Sequence, residues 1–424
     1  MALTMGAFAF LLMIGVPISI VLGIASVVYI YATGSVGLLD VLPQRLYSGI
    51  ETHGLLAIPL FMLAGELMNL SGITNRLIKF AQTLFGHFKG GLAYVNVVAN
   101  MFLSSILGSS LAQTAMMSRV MVPAMQKEGY TKEFSAATTA AAAMLGPIIP
   151  PSMIFILYSV GAGTSVSKIF LAGIFPGIIL TIAFLLLIAY LGYKHNFPKS
   201  ERRPLKEMCI SFFQVIPALL VPAVIILGVI LGMFTATESA AIACFLAFIV
   251  GIFFYRELKW KDIPIVFLNT AKATATVTLL LAMANLFGLV LTFERVPQIL
   301  AQWMGSISES PLVFLLILNI FLFIVGMIMD GIAAIVILVP ILVPIAKVFG
   351  IDLIHLGVII SINAVIGSLT PPVGAGLFVA SSVGEVKLEP LIKQIWPFLG
   401  ISITVLVAIT YFPEIVLWLP RLFS

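Results

Sequence analysis

The chain has 424 residues, of which 61% are hydrophobic and 9% are charged, and its formal net charge is +5. Soluble domains carry about 25% charged residues, so this composition excludes a soluble globular protein and a disordered chain. Apolar runs long enough for spans of about 20 residues are typical of membrane helices, not of the roughly 10-residue strands of a barrel. The composition therefore predicts an all-α, polytopic membrane protein.

Two of the apolar runs, 91–126 and 311–346, are about 36 residues long, which is too long for one crossing at 1.5 Å per residue. Gly108-Ser109-Ser110 interrupts the first run and Asp330-Gly331 interrupts the second. We expect each run to form a re-entrant helical hairpin, and two ordinary short spans are the alternative. In chain order, the apolar runs are 2–32, 54–70, 91–126, 134–162, 169–193, 211–233, 239–254, 272–292, 311–346, 353–383 and 395–420.

The distribution of positive charge supports the hairpins. If both long runs enter and leave on one side, the five loops on the side of 194–208 carry 15 Lys or Arg, and the five opposite loops carry four. Cytoplasmic loops are enriched in Lys and Arg. The bias predicts a cytoplasmic N-terminus, a periplasmic C-terminus, and basic residues that face the membrane surface and not a nucleic acid.

Each long run is followed by a run that prolines interrupt, at Gly146 to Ser152 (GPIIPPS) and at Gly367 to Gly374 (GSLTPPVG). The two halves have opposite orientations, and inverted repeats with discontinuous helices are typical of secondary transporters whose site lies near the membrane midplane. Segments 72–88 and 256–271 have mixed charge and apolar spacing, which suggests helices in the membrane interface.

Adjacent prolines free backbone carbonyls inside a span, where an unsatisfied polar group costs several kcal/mol. Carbonyls beside the hydroxyls of Ser152 and Thr370 offer the oxygen ligands that a hard cation such as Na⁺ requires. The alternative is a structural kink that a neighbouring helix satisfies. Two breaks in matching places favour ion sites.

Asp330 lies deep in the second hairpin, where a carboxylate is costly and indicates a functional site; capping the second arm is the alternative. The serines at the first hairpin tip, of which Ser109 is the best candidate, offer an anion site at a helix N-terminus. Packing through small residues is the alternative for these serines. Interhelical hydrogen bonds explain most of the asparagines in apolar runs.

These residues make the sequence resemble the large membrane subunit of tripartite ATP-independent periplasmic (TRAP) transporters. The resemblance covers essentially the whole chain. Its motifs are IPLFMLAGELMN (58–69), GHFKGGLAYVNV (86–97), GPIIPPS (146–152), FTATESAA (234–241) and the pair MIMD (327–330) and TPPVG (370–374).

The resemblance implies an elevator-type, Na⁺-driven importer of organic acids, such as C4-dicarboxylates or sialic acid, in the bacterial inner membrane. It implies a small four-helix membrane subunit and a periplasmic substrate-binding protein as partners, together with membrane lipid. The expected units are scaffold helices with an interfacial arm (1–90), the first hairpin and broken helix (91–162), scaffold with a second arm (163–310), the second hairpin and broken helix (311–383), and a final scaffold helix (384–424).

The hairpin tips and proline breaks supply the expected ligands. For Na⁺ these are Ser105, Gly108, Ser109, Gly146, Pro147, Ser152, Gly326, Asp330, Gly367, Thr370 and Val373. For the organic anion they are Ser109, Ser110, Ser152, Asp330, Asn363, Thr370 and Gly374.

The first hairpin departs from the family pattern, which often reads Ser-Gly-Ser followed by Ala-Asp. Here the residues are Leu107-Gly108-Ser109 and Ala112-Gln113, so one hydroxyl and one carboxylate are missing. Either a carbonyl replaces them or the ligand set and the substrate differ. An H⁺-coupled or standalone anion carrier is the main alternative function. A membrane enzyme fits less well, because Asp330 is the only His, Asp or Glu expected near the midplane and the sequence has no P-loop, zinc motif or nucleophile elbow. A scaffold without transport should not keep two proline-broken helices.

Overall fold

The structure is a computed structural model that describes residues 2–199 and 204–423; the side chains of Ala2, Ile106 and Leu107 lie outside the description, as does part of the basic loop 194–208. The described residues form twenty α-helices and no strand. The helices are α1 (Ala2–Met13), α2 (Ile18–Ala32), α3 (Leu42–Ser48), α4 (Ala57–Leu70), α5 (Ile73–Phe85), α6 (Gly91–Leu107), α7 (Ser110–Lys127), α8 (Lys132–Ala143), α9 (Met153–Ala162), α10 (Val166–Lys194), α11 (Leu205–Ile230), α12 (Ala236–Ile249), α13 (Ile263–Phe293), α14 (Val296–Ile307), α15 (Pro311–Ile328), α16 (Gly331–Val348), α17 (Leu353–Ser368), α18 (Ala375–Gly384), α19 (Leu388–Tyr411) and α20 (Glu414–Leu422).

Eight helical segments among the described residues are long and apolar enough to cross a membrane. The longest are the segments that contain α10 and α13, which have 29 and 34 residues. At 1.5 Å per residue both exceed the roughly 30 Å hydrocarbon thickness of a bilayer. The prediction of an all-helical, polytopic membrane protein is confirmed.

The two 36-residue runs fold as re-entrant hairpins, as predicted. The first consists of α6 and α7, which pack against each other on either side of the tip at Gly108 and Ser109. The second consists of α15 and α16, with its tip at Met329 and Asp330. The first tip lies against the proline break in the middle of the next element along the chain, because Gly108 adjoins the carbonyl of Pro151. A hairpin whose tip reaches the middle of a neighbouring broken span does not cross to the far side.

The proline-containing runs form broken helices. The first run is divided into α8 and α9, and the second into α17 and α18. Both breaks contain a cis peptide bond, at Pro150-Pro151 and at Pro371-Pro372. The residues of α8 from Phe134 to Ala143 are all buried, as are those of α17 from His355 to Ser368. The small side chains of α8 let neighbouring helices approach closely, so the broken helices form the centre of the hairpin assembly.

The packing of the two halves is reciprocal, as an inverted repeat requires. The second arm of the first hairpin, α7, packs on α18, and the second arm of the second hairpin, α16, packs on α9. Each first arm packs on the broken helix of its own half, α6 on α8 and α15 on α17. Each contact between a hairpin and a broken helix in one half therefore has an equivalent contact in the other half.

The run 2–32 is not one span, in contrast to the sequence expectation. The chain turns at Gly15, which has a φ of +79°, and α1 and α2 then pack against each other. Phe8 of α1 stacks on Phe287 while Gly23 of α2 contacts Met283, one turn away on α13. The two helices are therefore antiparallel, and residue 2 lies near the same end of the pair as residue 32. The sequence analysis expected residues 2 and 32 on opposite sides of the membrane because it treated this run as one membrane-spanning helix.

Amphipathic helices connect the scaffold to the hairpins in both halves. Helix α5 lies within the predicted interfacial segment 72–88 and precedes the first hairpin. The other predicted segment, 256–271, is not a separate helix, because from Ile263 onward it forms the beginning of α13. The amphipathic helix that precedes the second hairpin is α14 instead.

The helices pack as two groups. We call the group that contains the hairpins and broken helices, α6–α10 and α15–α19, the hairpin body. Helices α10 and α19 pack on α8 or α17 and on each other, whereas the sequence ranges 163–310 and 384–424 had placed them with the scaffold. We call α1–α4 and α11–α13 the scaffold, in which α4 packs on α12 and α13.

Candidate functional site

Both hairpin tips are formed by residues that cap the helix that follows. Gly108 has a φ of +58°, a left-handed conformation that favours glycine. The hydroxyl of Ser109 then accepts a hydrogen bond from the amide of Ala112 at 3.5 Å. In the second tip, a carboxylate oxygen of Asp330 accepts a hydrogen bond from the amide of Ile332 at 3.2 Å. Asp330 thus has the capping role that the sequence offered as an alternative, and its other oxygen remains available to a ligand.

Buried hydroxyls stabilise both proline breaks from within. Ser152 is fully buried; its hydroxyl donates to the carbonyl of Pro147 at 2.5 Å and accepts from the amide of Phe155 at 3.3 Å. Thr370 is also buried and donates to the carbonyl of Ile366 at 2.8 Å. Each hydroxyl oxygen has two lone pairs, so these local hydrogen bonds do not exhaust its capacity as a ligand.

The two tips and the ends of both interrupted helices meet around one small cavity, which we call the tip cavity. Its volume of about 10 Å³ is enough for one water molecule or an ion of similar size. Among the described residues that line it, Asp330 has the single charged side chain. The lining residues are Gly108, Ser109, Ser110, Pro147, Ile154, Asp330, Gly331, Ile332, Ala364, Val365 and Ser368.

Of the sequence-predicted site residues, the structure brings Gly108, Ser109, Ser110, Pro147 and Asp330 to the tip cavity. The sequence analysis did not select Ser368, although it lies within the quoted second break. Its hydroxyl donates to the carbonyl of Val365 at 2.7 Å. Ser368 occupies the last turn of α17, where a hydroxyl beside a proline break was a usable signal.

Gly326 and Gly367, two other predicted ligands, contact each other beside the second break. A Cβ atom on Gly367 would lie 2.6 Å from the Cα of Gly326 and 2.7 Å from its carbonyl carbon. The absence of side chains thus lets the first arm of the hairpin approach the end of α17. Val373 and Gly374 follow in the same break, and because the side chain of Val373 is a hydrocarbon, any ligand that it provides is its backbone carbonyl.

Asn363 does not reach the tip cavity. Its side-chain amide donates to Oδ1 of Asn319, whose own amide donates to the hydroxyl of Thr410 at 3.1 Å. This hydrogen-bonded group joins α17 to α15 and α19. Asn363 therefore has the interhelical role that the sequence suggested for most asparagines. Its own Oδ1 is buried without a hydrogen-bond partner among the described residues, and its role as a substrate ligand stays a prediction.

A buried chain of amides and hydroxyls ends beside the first break. Asn96 donates to Thr139 at 2.7 Å, Asn100 donates to Asn96 at 2.8 Å, and Gln113 donates to Oδ1 of Asn100 at 2.8 Å. The Oε1 atom of Gln113 is buried without a hydrogen-bond partner among the described residues. A Cβ atom on Gly146 would lie only 2.5 Å from this oxygen. Gln113, which departs from the family pattern, thus directs an unpaired oxygen toward the predicted first cation site.

Ser105 is buried on the last turn before the first tip, at 8% exposure. Together with Gly146 and Gln113 it lies outside the set of residues that line the tip cavity. The donor set near the first break comprises neutral oxygens of amides, hydroxyls and carbonyls. Hard cations prefer oxygen ligands, so the residues present fit a site for Na⁺.

Two larger cavities lie between the hairpin body and the scaffold. The first, of about 360 Å³, is lined by Glu66 and by Ser109 and Ile332 of the two tips; we call it the Glu66 cavity. The second, of about 420 Å³, is lined by Arg45 and by residues of α9, α13 and α16; we call it the Arg45 cavity. Only the Glu66 cavity shares lining residues with the tip cavity. The tips therefore adjoin the cavity at the end of the scaffold that carries Glu66.

Comparison with known protein families identifies the family to which this chain belongs. Residues 5–415 match the family described as the tripartite ATP-independent periplasmic transporter, DctM component. The chain belongs to this family. The TRAP resemblance inferred from the motifs is thus confirmed over almost the whole sequence.

Three relatives of this DctM-family chain are named as permeases. The chain is 39% identical to the C4-dicarboxylate TRAP transporter large permease protein DctM of Pseudomonas aeruginosa, over 89% of this chain and 88% of the relative. It is 36% identical to the sialic acid TRAP transporter large permease protein SiaM of Vibrio cholerae, over 97% and 96%. It is 38% identical to the isethionate TRAP transporter permease protein DctMQ of Oleidesulfovibrio alaskensis, over 97% of this chain but 65% of that longer protein.

The fold of this DctM-family chain also resembles that of a solved transporter. The YdaH transporter of Alcanivorax borkumensis superposes with a TM-score of 0.61 at 16% identity, over 90% of both chains. At this identity the similarity concerns the fold alone. Together with the spanning helices, family membership makes the chain an integral membrane protein and the large permease component of a TRAP transporter.

Proposed function

We propose that this chain is the transport subunit of a Na⁺-coupled importer of an organic acid in a bacterial inner membrane. The relatives are named for isethionate, a C4-dicarboxylate and sialic acid, which are all organic anions. The shared chemistry supports a carboxylate or sulfonate as cargo.

The observation that carries this proposal is the meeting of both hairpin tips and both broken helices at the tip cavity. Helices α7 and α16 begin there, so their free amide groups favour the negative charge of the cargo. Helices α6 and α15 end there and present carbonyls of the kind that coordinate Na⁺ in transporters with discontinuous helices. Asp330 adds a carboxylate that a cation neutralises.

The proposed cation ligands fall into two groups, one for each half. Gln113 and Gly146 belong to the first half, together with Ser105 and Ser152. The second group contains the contact between Gly326 and Gly367, followed by Thr370 and the carbonyl of Val373. Ser109 and Ser110 bind the anion at the tip, with Ser152, Asp330, Thr370 and Gly374 as further candidate contacts. Na⁺ supplies positive charge that balances Asp330 and the cargo.

Movement of the hairpin body against the scaffold is the proposed elevator step. Helix α13 lines both cavities between the hairpin body and the scaffold. Residues from Asn269 to Val277 line the Glu66 cavity, and residues from Leu281 to Thr292 line the Arg45 cavity. The midpoints of these stretches are about 13 residues apart, or roughly 20 Å along the helix. Sliding along α13 would open the tip site alternately to each side. Each net positive charge that moves inward gains about 2.3 kcal/mol per 100 mV.

The positive-inside bias orients the proposed complex. It places the Glu66 cavity toward the cytoplasm and the Arg45 cavity toward the periplasm, with a periplasmic C-terminus. Because α1 and α2 fold back on each other, our proposal puts residue 2 on the periplasmic side with residue 32, in place of the cytoplasmic N-terminus that the sequence analysis expected. The proposed partners are a small four-helix membrane subunit and a periplasmic substrate-binding protein, and the longer DctMQ relative supports an additional membrane component.

The test is uptake into proteoliposomes that contain the membrane complex, with the loaded binding protein outside. Labelled isethionate, succinate and N-acetylneuraminate are supplied with and without an inward Na⁺ gradient. We expect Na⁺-dependent uptake of one acid by the wild type, and a loss of at least tenfold in Asp330→Asn and Ser109→Ala. Full Na⁺-dependent uptake by both variants would show that the assigned ligands are wrong.

Coupling to protons is a second candidate that Asp330 favours, because no other described residue that lines the tip cavity is charged. A carboxylate at the site can accept a proton in place of a neighbouring cation. Uptake in Na⁺-free buffer with an inward pH gradient distinguishes the two. Transport under that condition, lost in Asp330→Asn, would replace Na⁺ by H⁺ in the proposal.

A further inference from the structure

The two interdomain cavities carry opposite charges. Arg45 is the only charged residue among those lining the Arg45 cavity, and Glu66 is the only one among those lining the Glu66 cavity. Both side chains belong to the scaffold, on α3 and α4. Neither forms an ion pair or a side-chain hydrogen bond within residues 2–199 and 204–423. Local structure therefore does not neutralise either charge.

We propose that these fixed scaffold charges guide the anionic cargo: Arg45 attracts it into the periplasmic cavity, and Glu66 disfavours its return from the cytoplasmic one. This inference rests on the proposed function and deepens it. The cargo class is an organic carboxylate or sulfonate, and the two residues act through the electrostatic potential of the cavities.

The surroundings of Arg45 suit a first binding station for such an anion. The cavity is also lined by the hydroxyl-bearing residues Ser48, Thr52 and Thr292 and by Asn285. The hydroxyls of Ser48 and Thr292 donate to the carbonyls of Arg45 and Gly288, so the hydroxyl of Thr52 and the amide of Asn285 are the donors that an oxyanion can use. A cleft with one sign of charge raises the local concentration of an oppositely charged ligand. An acid released there meets a cation and two hydrogen-bond donors before it reaches the tips.

The surroundings of Glu66 produce the opposite effect. Glu66 shares its cavity with Ser109 and Ala112 of the first tip and with Ile332 beside Asp330. Helix α13 of the scaffold contributes only neutral residues to the lining of this cavity, among them Asn269, Thr270 and Thr276. An anion that leaves the tips therefore meets an uncompensated carboxylate, and a cation that leaves is attracted. The repulsion of the anion lowers its tendency to rebind.

The potential in each cavity is measured first, without any transport. In a background of Cys209→Ser and Cys244→Ala, a reporter cysteine is placed at Ser48 or at Thr276, which line the two cavities. Modification rates by an anionic and a cationic methanethiosulfonate reagent are compared. Removal of a unit charge within about 8 Å in watery surroundings changes each rate about two- to threefold, in opposite directions. Arg45→Gln should slow the anionic reagent at position 48, and Glu66→Gln should accelerate it at position 276.

The functional arm uses the proteoliposome assay with the acid that the wild type transports. Arg45→Gln should raise the half-saturating concentration of the loaded binding protein about threefold, with the maximal rate within twofold, and Arg45→Lys should restore it. Glu66→Gln should lower, about threefold, the internal acid concentration that inhibits uptake by half, and Glu66→Asp should restore it. Both effects should shrink at high ionic strength. Glu51→Gln is the matched control, because Glu51 lines the neighbouring cavity instead.

The outcomes are decisive. If Arg45→Gln leaves the half-saturating concentration unchanged, or if Arg45→Lys behaves like Arg45→Gln, capture by charge is refuted. If Glu66→Gln leaves internal inhibition unchanged, the release half is refuted. If the wild type transports none of the acids, the proposed function fails and this inference falls with it, whereas the reagent rates still report the cavity potentials.

Discussion

The contact between Gly326 and Gly367 permits a sharp test of the packing around the second break. In Gly367→Ala the new Cβ atom would lie 2.6 and 2.7 Å from two backbone carbons of Gly326. Carbon atoms in good contact are about 3.5–4.0 Å apart, so the hairpin arm and α17 must separate by roughly 1 Å. Both neighbours are backbone atoms and no flexible side chain can yield.

Overpacking of this kind costs about 1–3 kcal/mol. We therefore expect a lower apparent unfolding temperature for Gly367→Ala in detergent, measured by intrinsic fluorescence. The second expectation concerns Na⁺. A ligand that binds the folded state stabilises it by RT ln(1 + [L]/Kd), which is about 2.7 kcal/mol at 100 times Kd. Because the separation displaces the proposed ligands of the second half, Na⁺ should raise the unfolding temperature of the variant less than that of the wild type.

Gly400→Ala is the matched control. Gly400 lies in α19, and a Cβ atom there would meet nothing within 4 Å. Alanine in a helix interior is favoured over glycine by about 0.5–1 kcal/mol, so the control should be as stable as the wild type or slightly more stable, with the full effect of Na⁺. Wild-type stability and a full Na⁺ effect in Gly367→Ala would refute both the packing argument and the placement of the cation.

Two further predictions concern the first hairpin and the N-terminal pair. Gln113→Leu should remove the donor to Asn100 and the unpaired oxygen beside Gly146, lower stability by about 1–3 kcal/mol and raise the Na⁺ concentration required for half-maximal uptake; an unchanged Na⁺ dependence would leave Gln113 a structural residue only. Single cysteines at Met5 and Thr33, in a background without Cys209 and Cys244, should both react with a membrane-impermeant maleimide from the periplasmic side, and labelling of the two from opposite sides would contradict the antiparallel arrangement of α1 and α2.

The hairpins were predictable because their length and their polar centres are local properties. A run of about 36 apolar residues cannot be one crossing, and the residues from Gly108 to Ser110 and at Asp330 mark the turns. Local signals failed at 2–32, where Gly15, Val16 and Pro17 are compatible with a kink as well as with a reversal. The tertiary contacts of Phe8 and Gly23 with α13 decide between them.

The grouping of α10 and α19 with the hairpins could not be predicted, since two apolar helices of similar composition differ only in the neighbours against which they pack. The role of Gln113 was partly visible. Asn96 and Asn100 are four residues apart and lie on one face of α6, and Gln113 follows the tip at a comparable depth in the facing arm. The pattern predicts contact between the arms; that Oε1 remains unpaired beside Gly146 depends on the position of the first break.

The two halves of the site are similar in shape and unequal in charge. Ser109 and Asp330 occupy equivalent positions, because each caps the second arm of its hairpin. The first half surrounds its proposed cation with the neutral oxygens of Gln113 and Gly146, whereas the second half contains the carboxylate of Asp330. In the proposed cycle a cation in the second half is therefore balanced by the protein, and a cation in the first half is balanced only by an anionic cargo. Binding of the first-half cation and of the acid should then strengthen each other, since each alone leaves an unbalanced charge in a site of low dielectric constant.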